Sequence, residues 1–200
     1  MSFLSKLVQE VNDLRRNPYG YAAKIVKNKK YFEKDSNNWK QPRSNIVIKT
    51  EEGPAAFDEA IDFLKNKTKS RNELTPSKGL TKIAEDFLKE YQKDAKAEVE
   101  LEGIVKKHGK FTGFFRRLVQ LGSNVPEYVV ISLVVGDGDK TRAYRDALLA
   151  ENLNKIGVAH GDQKELRHCS VITVCNDCRF APPYTNKVPE NNSTYQSSNL

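Results

Sequence analysis

From Val134 to Gly161 the chain reads VVGDGDKTRAYRDALLAENLNKIGVAHG, the stretch richest in side chains that could do chemistry. Asp137 and Asp139 flank Gly138, and Arg142 and Arg145 bracket Tyr144. Paired carboxylates could hold a cation, but the later ligands of a calcium loop are missing, so the pattern reads as a turn. His108, within KKHGKF, is a second isolated candidate. Three cysteines cluster at one end, Cys169 and the pair Cys175-x-x-Cys178, with His168 beside them. Residues on a strand alternate faces, so Cys169 and Cys175 could share one, but four ligands converge poorly there. Buried or idle thiols are the better reading. There is no Gly-x-Ser-x-Gly elbow, no His-Glu-x-x-His and no Gly-Lys-Ser/Thr phosphate loop. The residues argue against catalysis.

These side chains need elements to hold them. Phe3, Leu4, Leu7, Val8, Val11 and Leu14 form a helical stripe that closes near Asn17, and Pro18 opens a second helix. A polar stretch runs to about Lys49 and includes Trp39. Beyond Thr50, Phe57, Ala60, Ile61 and Leu64 face one way on a helix. Thr75 and Pro76 predict the cap and first position of another, carrying Ile83, Ala84, Phe87, Leu88 and Tyr91. Shorter helices are expected over 111–121 and 127–135, and strands over 156–159 and 168–175. Beyond Arg179 the chain turns to Pro, Asn, Ser and Thr, a composition that buries little.

Several of these blocks, EVNDLRRNPYGYA, EEGPAAFDEAIDFL, LTKIAEDFLKEY and the Val134–Gly161 stretch among them, resemble the CAP domains of the SCP-like superfamily. Six separated blocks keep the family order over about residues 7–177. The resemblance implies an α/β fold, a three-layer α/β/α sandwich with a small, mostly antiparallel sheet. It implies a domain over 1–178, with a basic insertion at 24–49 and a polar tail at 179–200. Many CAP domains hold two histidines and two acidic residues that can bind a divalent metal. Position by position, the first histidine matches His108, and Ser123 in GSNV stands at the first acidic position. Gly136 stands at the second acidic position with Asp137 beside it, and Tyr144 replaces the second histidine. A serine hydroxyl and a phenol do not substitute for a carboxylate and an imidazole at neutral pH. The resemblance therefore implies a degenerate cleft, with no metal and no cofactor.

Composition bounds the partners. Two hundred residues suit one domain, and no apolar run is long enough to span a membrane. The opening MSFLSKLVQEVNDLRRN carries Gln9, Glu10, Asn12 and Asp13 inside its apolar pattern, as an amphipathic helix does and a signal peptide does not. Clustered cysteines in odd number also argue for a reduced, cytoplasmic setting rather than secretion. Between Lys24 and Lys49 lie eight basic residues against Glu33 and Asp35, so a local charge of +6 accounts for most of the chain's +7. Lys24, Lys27, Lys29, Lys30 and Lys34, with Trp39 interleaved, predict contact with an acidic surface. Phe180 and Tyr184, spaced by prolines, are expected to anchor a partner-wrapping tail. An acidic protein surface such as tubulin or another cytoskeletal or ciliary lattice is favoured. Acidic lipid is the alternative, and a metal-dependent hydrolase a weaker one. Nucleic acid would call for more arginine and a reading module, so none is expected.

Overall fold

The computed structural model describes residues 1–111, 113–176 and 178–180. Its centre is a sheet in the order β3-β6-β7-β5: β3 (Thr75–Pro76), β6 (Lys155–Gln163), β7 (Arg167–Cys175) and β5 (Phe115–Leu121). β7 runs antiparallel to both neighbours, while β3 joins β6 in parallel through two residues. The protein is α/β, with helices on both faces of this sheet.

Strand periodicity assigns those faces. Ile156 and Val158 of β6, Ile172 and Val174 of β7 and Leu118 of β5 enter one core. Above them lie α1 (Phe3–Arg16), α2 (Pro18–Lys29), α3 (Pro54–Asn66), α6 (Pro126–Val135) and α7 (Ala143–Leu149). α6 is apolar over most of its surface, and seven of its ten residues are buried. The alternate residues Ala159, Cys169, Val171 and Cys175 meet α4 (Lys78–Lys93) and α5 (Leu101–Lys106) on the other face. Gly157 permits the close approach of α4, because a Cβ there would strike the backbone of Leu80.

Three expectations are corrected. The helix expected over 111–121 is instead β4 (Gly109–Phe111) and β5, because FRRLVQL pairs along its whole length with β7. Thr75 and Pro76 form β3 rather than a helix cap. Ser77 caps α4, its hydroxyl accepting from the Leu80 amide at 3.4 Å. The polar stretch before Thr50 is ordered as the end of α2 and a hairpin of β1 (Asn38–Gln41) and β2 (Ile46–Lys49).

β8 (Cys178–Phe180) pairs antiparallel with β4, so Arg179 and Phe180 belong with the domain and not with a tail. Residues 181–200, Tyr184 among them, lie outside the described residues. Cys175 at the end of β7 and Cys178 at the start of β8 bring their sulfurs side by side. Cys169 is free and buried, and burial pushes its thiol up to about 12.

Candidate functional site

The Gly-Asp-Gly-Asp turn is built into the fold by charge. α6 ends on Gly136 in the left-handed region, φ +60°, the conformation a helix C-terminus favours for glycine. Asp137 then accepts hydrogen bonds from the amides of Glu51 (2.7 Å) and Glu52 (2.9 Å). Glu52 returns the contact, accepting from the Gly138 amide at 2.9 Å and from both terminal nitrogens of Arg142 at 2.7 Å. The Arg142 pairing, with the Gly138 amide, holds Glu52 down to about 2. Arg145, buried over the ring of Phe63, grips Glu59 with two nitrogens at 2.7 and 2.8 Å and lowers that carboxyl too. Asp139 accepts from the amides of Thr141 and Ala143 at the start of α7. The two arginines that bracket Tyr144 clamp the turn and α7 to α3 and to the loop before it.

This turn forms one side of a cavity of about 480 Å³. Trp39, Phe57 and Leu133 supply apolar wall, and Gln120, Asp137 and Tyr144 supply polar groups. Behind Gln120 runs a buried chain of side chains. The Gln120 amide nitrogen donates to the Leu121 carbonyl at 2.5 Å and to Ser123 Oγ at 3.1 Å, and Ser123 in turn meets Gln41. Neither glutamine stood out in sequence, since a lone glutamine on a strand carries no motif. Only its burial makes it informative.

Of the four positions implied by the resemblance, Asp137 and Tyr144 reach the cavity together, and Ser123 touches it only through Gln120. His108 is elsewhere. It follows α5, is buried, and its Nε2 lies 2.8 Å from Asp86 on α4. Lys89 and His108 outweigh burial there and hold the Asp86 carboxyl low. The expected cleft quartet does not converge. Among the described residues no group of three or more His, Cys, Asp or Glu is placed to hold a metal.

The expected contact residues divide as well. Trp39 is 1% exposed, donates its indole N–H to the Asn28 carbonyl at 3.2 Å and packs edge-on against Phe57 and Tyr128. It pins the hairpin to the core and cannot touch a partner. Phe180 packs against α4, its ring lying over Gly79, so it is likewise not a free anchor. Lys24 is held by Glu10 at 2.8 Å, and Lys29 by Asp58 at 2.6 Å. Lys27, Lys30 and Lys34 stand exposed, joined by Lys40 and Lys49 on the hairpin's outer face, where Val47 also points outward. Among the described residues no carboxylate pairs with any of these five. No helix among them is long and apolar enough to cross a membrane.

No protein-family model and no curated protein matches this sequence. Among solved structures there is similarity at low identity. An outer surface protein from Borrelia burgdorferi shares 16% identity over 52% of this chain and 78% of its own, with a TM-score of 0.44. A cysteine-rich secretory protein from Staphylococcus aureus shares 17% over 62% of this chain, with a TM-score of 0.41. This chain spans 38% of that protein's length.

Proposed function

We propose that this chain is a CAP-like, non-catalytic binding domain that works as a component of a larger, cytoskeletal assembly by docking a lysine-rich surface on an acidic protein lattice. The observation that carries the reading is the set of five exposed lysines, Lys27, Lys30, Lys34, Lys40 and Lys49, that no described carboxylate neutralises. Charge left unpaired over one helix end and one hairpin face raises the local concentration of an acidic partner and speeds its encounter. The three-layer α/β/α reading draws on the six sequence blocks and on the two cores either side of the sheet.

The non-catalytic reading draws on how the polar groups are engaged. Asp137 and Asp139 hold backbone amides, Arg142 and Arg145 hold carboxylates, and His108 faces Asp86. A general base must reach a substrate proton, and His108 is not among the residues lining the cavity beside the turn.

Co-sedimentation with polymerised microtubules at low and high salt tests the proposal. Binding at low salt that is lost at high salt, and lost when the five lysines are changed to glutamate, is the expected result. Equal binding by the charge-reversed protein would sink the reading. Sedimentation with anionic vesicles but not with microtubules would transfer the surface to lipid.

A further inference from the structure

We propose that the open edge of β2 takes up an extended acidic peptide as an added strand, one whose side chains alternate between carboxylate and apolar. The inference rests on the reading of the lysine surface as a site for acidic protein, and it names the form that protein takes where it docks.

Hydrogen-bond parity shows which groups are free. The Lys40 amide donates to the Tyr31 carbonyl and the Glu33 amide to the Asn38 carbonyl, both at 3.0 Å. Asn38 and Lys40 thus spend these peptide groups on the side of β1 away from β2. Partners in an antiparallel ladder alternate between pairs that exchange hydrogen bonds and pairs that do not. Lys40 faces Val47 and Asn38 faces Lys49, so these are the pairs that do not. Val47 and Lys49 therefore turn their N–H and C=O groups to the open side of β2, where none has a partner among the described residues. A peptide laid along such an edge is held by its main chain.

The surroundings select the peptide. β2 forms one wall of a groove of about 490 Å³. Leu121 and Gly122 at the end of β5, with Leu166 and Arg167 where β7 begins, form the other. Side chains of an added strand alternate in step with those of β2. One set stands beside Val47 and Lys49, on the exposed face that Lys40 shares, and carboxylates there meet lysines. The other set stands beside the half-buried Ile46 and Ile48, with Leu121 in the opposite wall, which favours apolar groups. Among the described residues the lining holds one carboxylate, Glu165, against Lys49 and Arg167. A second copy of this edge would set lysine against lysine, so self-pairing is disfavoured.

An acetylated, amidated peptide of alternating glutamate and valine tests this with the full chain, followed by amide chemical shifts. Saturable binding is expected, with Val47 and Lys49 among the residues that shift most. Only one edge of an added strand faces β2. N-methylation of one alternate set, all the glutamates or all the valines, should therefore weaken binding about tenfold or more, and of the other set about threefold or less. Val47→Pro removes one N–H that β1 does not use, and it should also cost about tenfold. Should that variant fail to fold, the two methylated peptides decide alone. Equal effects of the two methylations, full binding by a folded Val47→Pro, or no saturable binding of the unmethylated peptide would each overturn the proposal. If the protein still sediments with microtubules in that case, the lysine surface stands without the edge. Edge-dependent peptide binding without microtubule sedimentation would support the edge and sink the lattice.

Discussion

His108 Nε2 meets a carboxylate oxygen of Asp86 at 2.8 Å, joining the segment after α5 to α4 on the sheet face opposite the α6 core. Among the described residues it joins no group of three or more His, Cys, Asp or Glu placed to hold a metal. Protein purified without chelator is therefore expected to carry well under one equivalent of zinc, and His108→Ala should leave that figure unchanged. The same variant should lower stability by about 1–2 kcal/mol, because a partly buried hydrogen bond to a charged group is lost. Stoichiometric zinc that disappears in His108→Ala would contradict this assignment.

Acid should destabilise the fold in two windows. Phe3 stacks on His160 at 3.8 Å between ring centroids, and burial, with His168 close by, lowers His160 from 6.5 to about 4. The folded state thus binds fewer protons than the unfolded state between those values, and stability falls as pH drops from about 6.5 to 4. Glu52, lowered from 4.5 to about 2 by Arg142, adds a second loss between those pH values. That loss should be small, since the pair is partly exposed and screened. Melting curves at successive pH values should show His160→Gln flattening the upper window alone, and Glu52→Gln the lower alone.

Arg15 should be among the least replaceable residues. It is fully buried in α1 and donates to the carbonyls of Asn72 (2.8 Å), Leu148 (2.6 Å) and Ala150 (3.1 Å). Burial, together with Arg71, lowers it to about 10, so it stays charged at neutral pH. Arg15→Ala leaves three carbonyls without their donor, and denaturant unfolding should register a loss of about 3 kcal/mol or more. Arg15→Lys should recover only part, because one ammonium cannot reach carbonyls on two segments. A loss under about 1 kcal/mol for Arg15→Ala would show that these bonds do not hold the helices together.

Trp39 is the chain's single tryptophan, so its fluorescence reports the hairpin directly. Emission should be blue-shifted and poorly quenched by acrylamide in the native state. Trp39→Ala should destabilise by about 3–5 kcal/mol, as a large core side chain does. Ready quenching in the folded protein would restore Trp39 to the surface and to a contact role.

Packing of Phe180 can be read through the glycine beneath it. A Cβ at Gly79 would overlap the Phe180 ring, so Gly79→Ala should displace β8 and lower stability by about 1–3 kcal/mol. Phe180→Ala should also destabilise the isolated domain. A melting temperature unmoved by both changes would return Phe180 to the tail.

Period alone was enough to locate α1, α3 and α4, because each carries an apolar stripe that must face a core whatever that core is, and Pro18 marked the start of α2. The two central strands were legible too, as short apolar runs of alternating residues bounded by turn residues. The segment 115–121 was not. FRRLVQL suits a helix or a strand over so few residues, and its seven-residue pairing with β7 made the choice. Residues 38–49 looked like solvated polar chain because their anchor is one indole that finds its acceptor 11 residues away.

Sequence by itself determined which residue types stand at the candidate positions, and that no imidazole occupies position 144. It also determined the charge of the segment from Lys24 to Lys49. Only the tertiary structure decided which of those lysines are neutralised, because Glu10 and Asp58 approach from other helices. It decided too that His108 meets Asp86 while Tyr144 lines the cavity, and that Gln120, unremarked in the chain, lines it as well. The reason is that a side chain's chemistry is local, whereas its burial and its partners depend on segments distant in sequence that packing brings beside it.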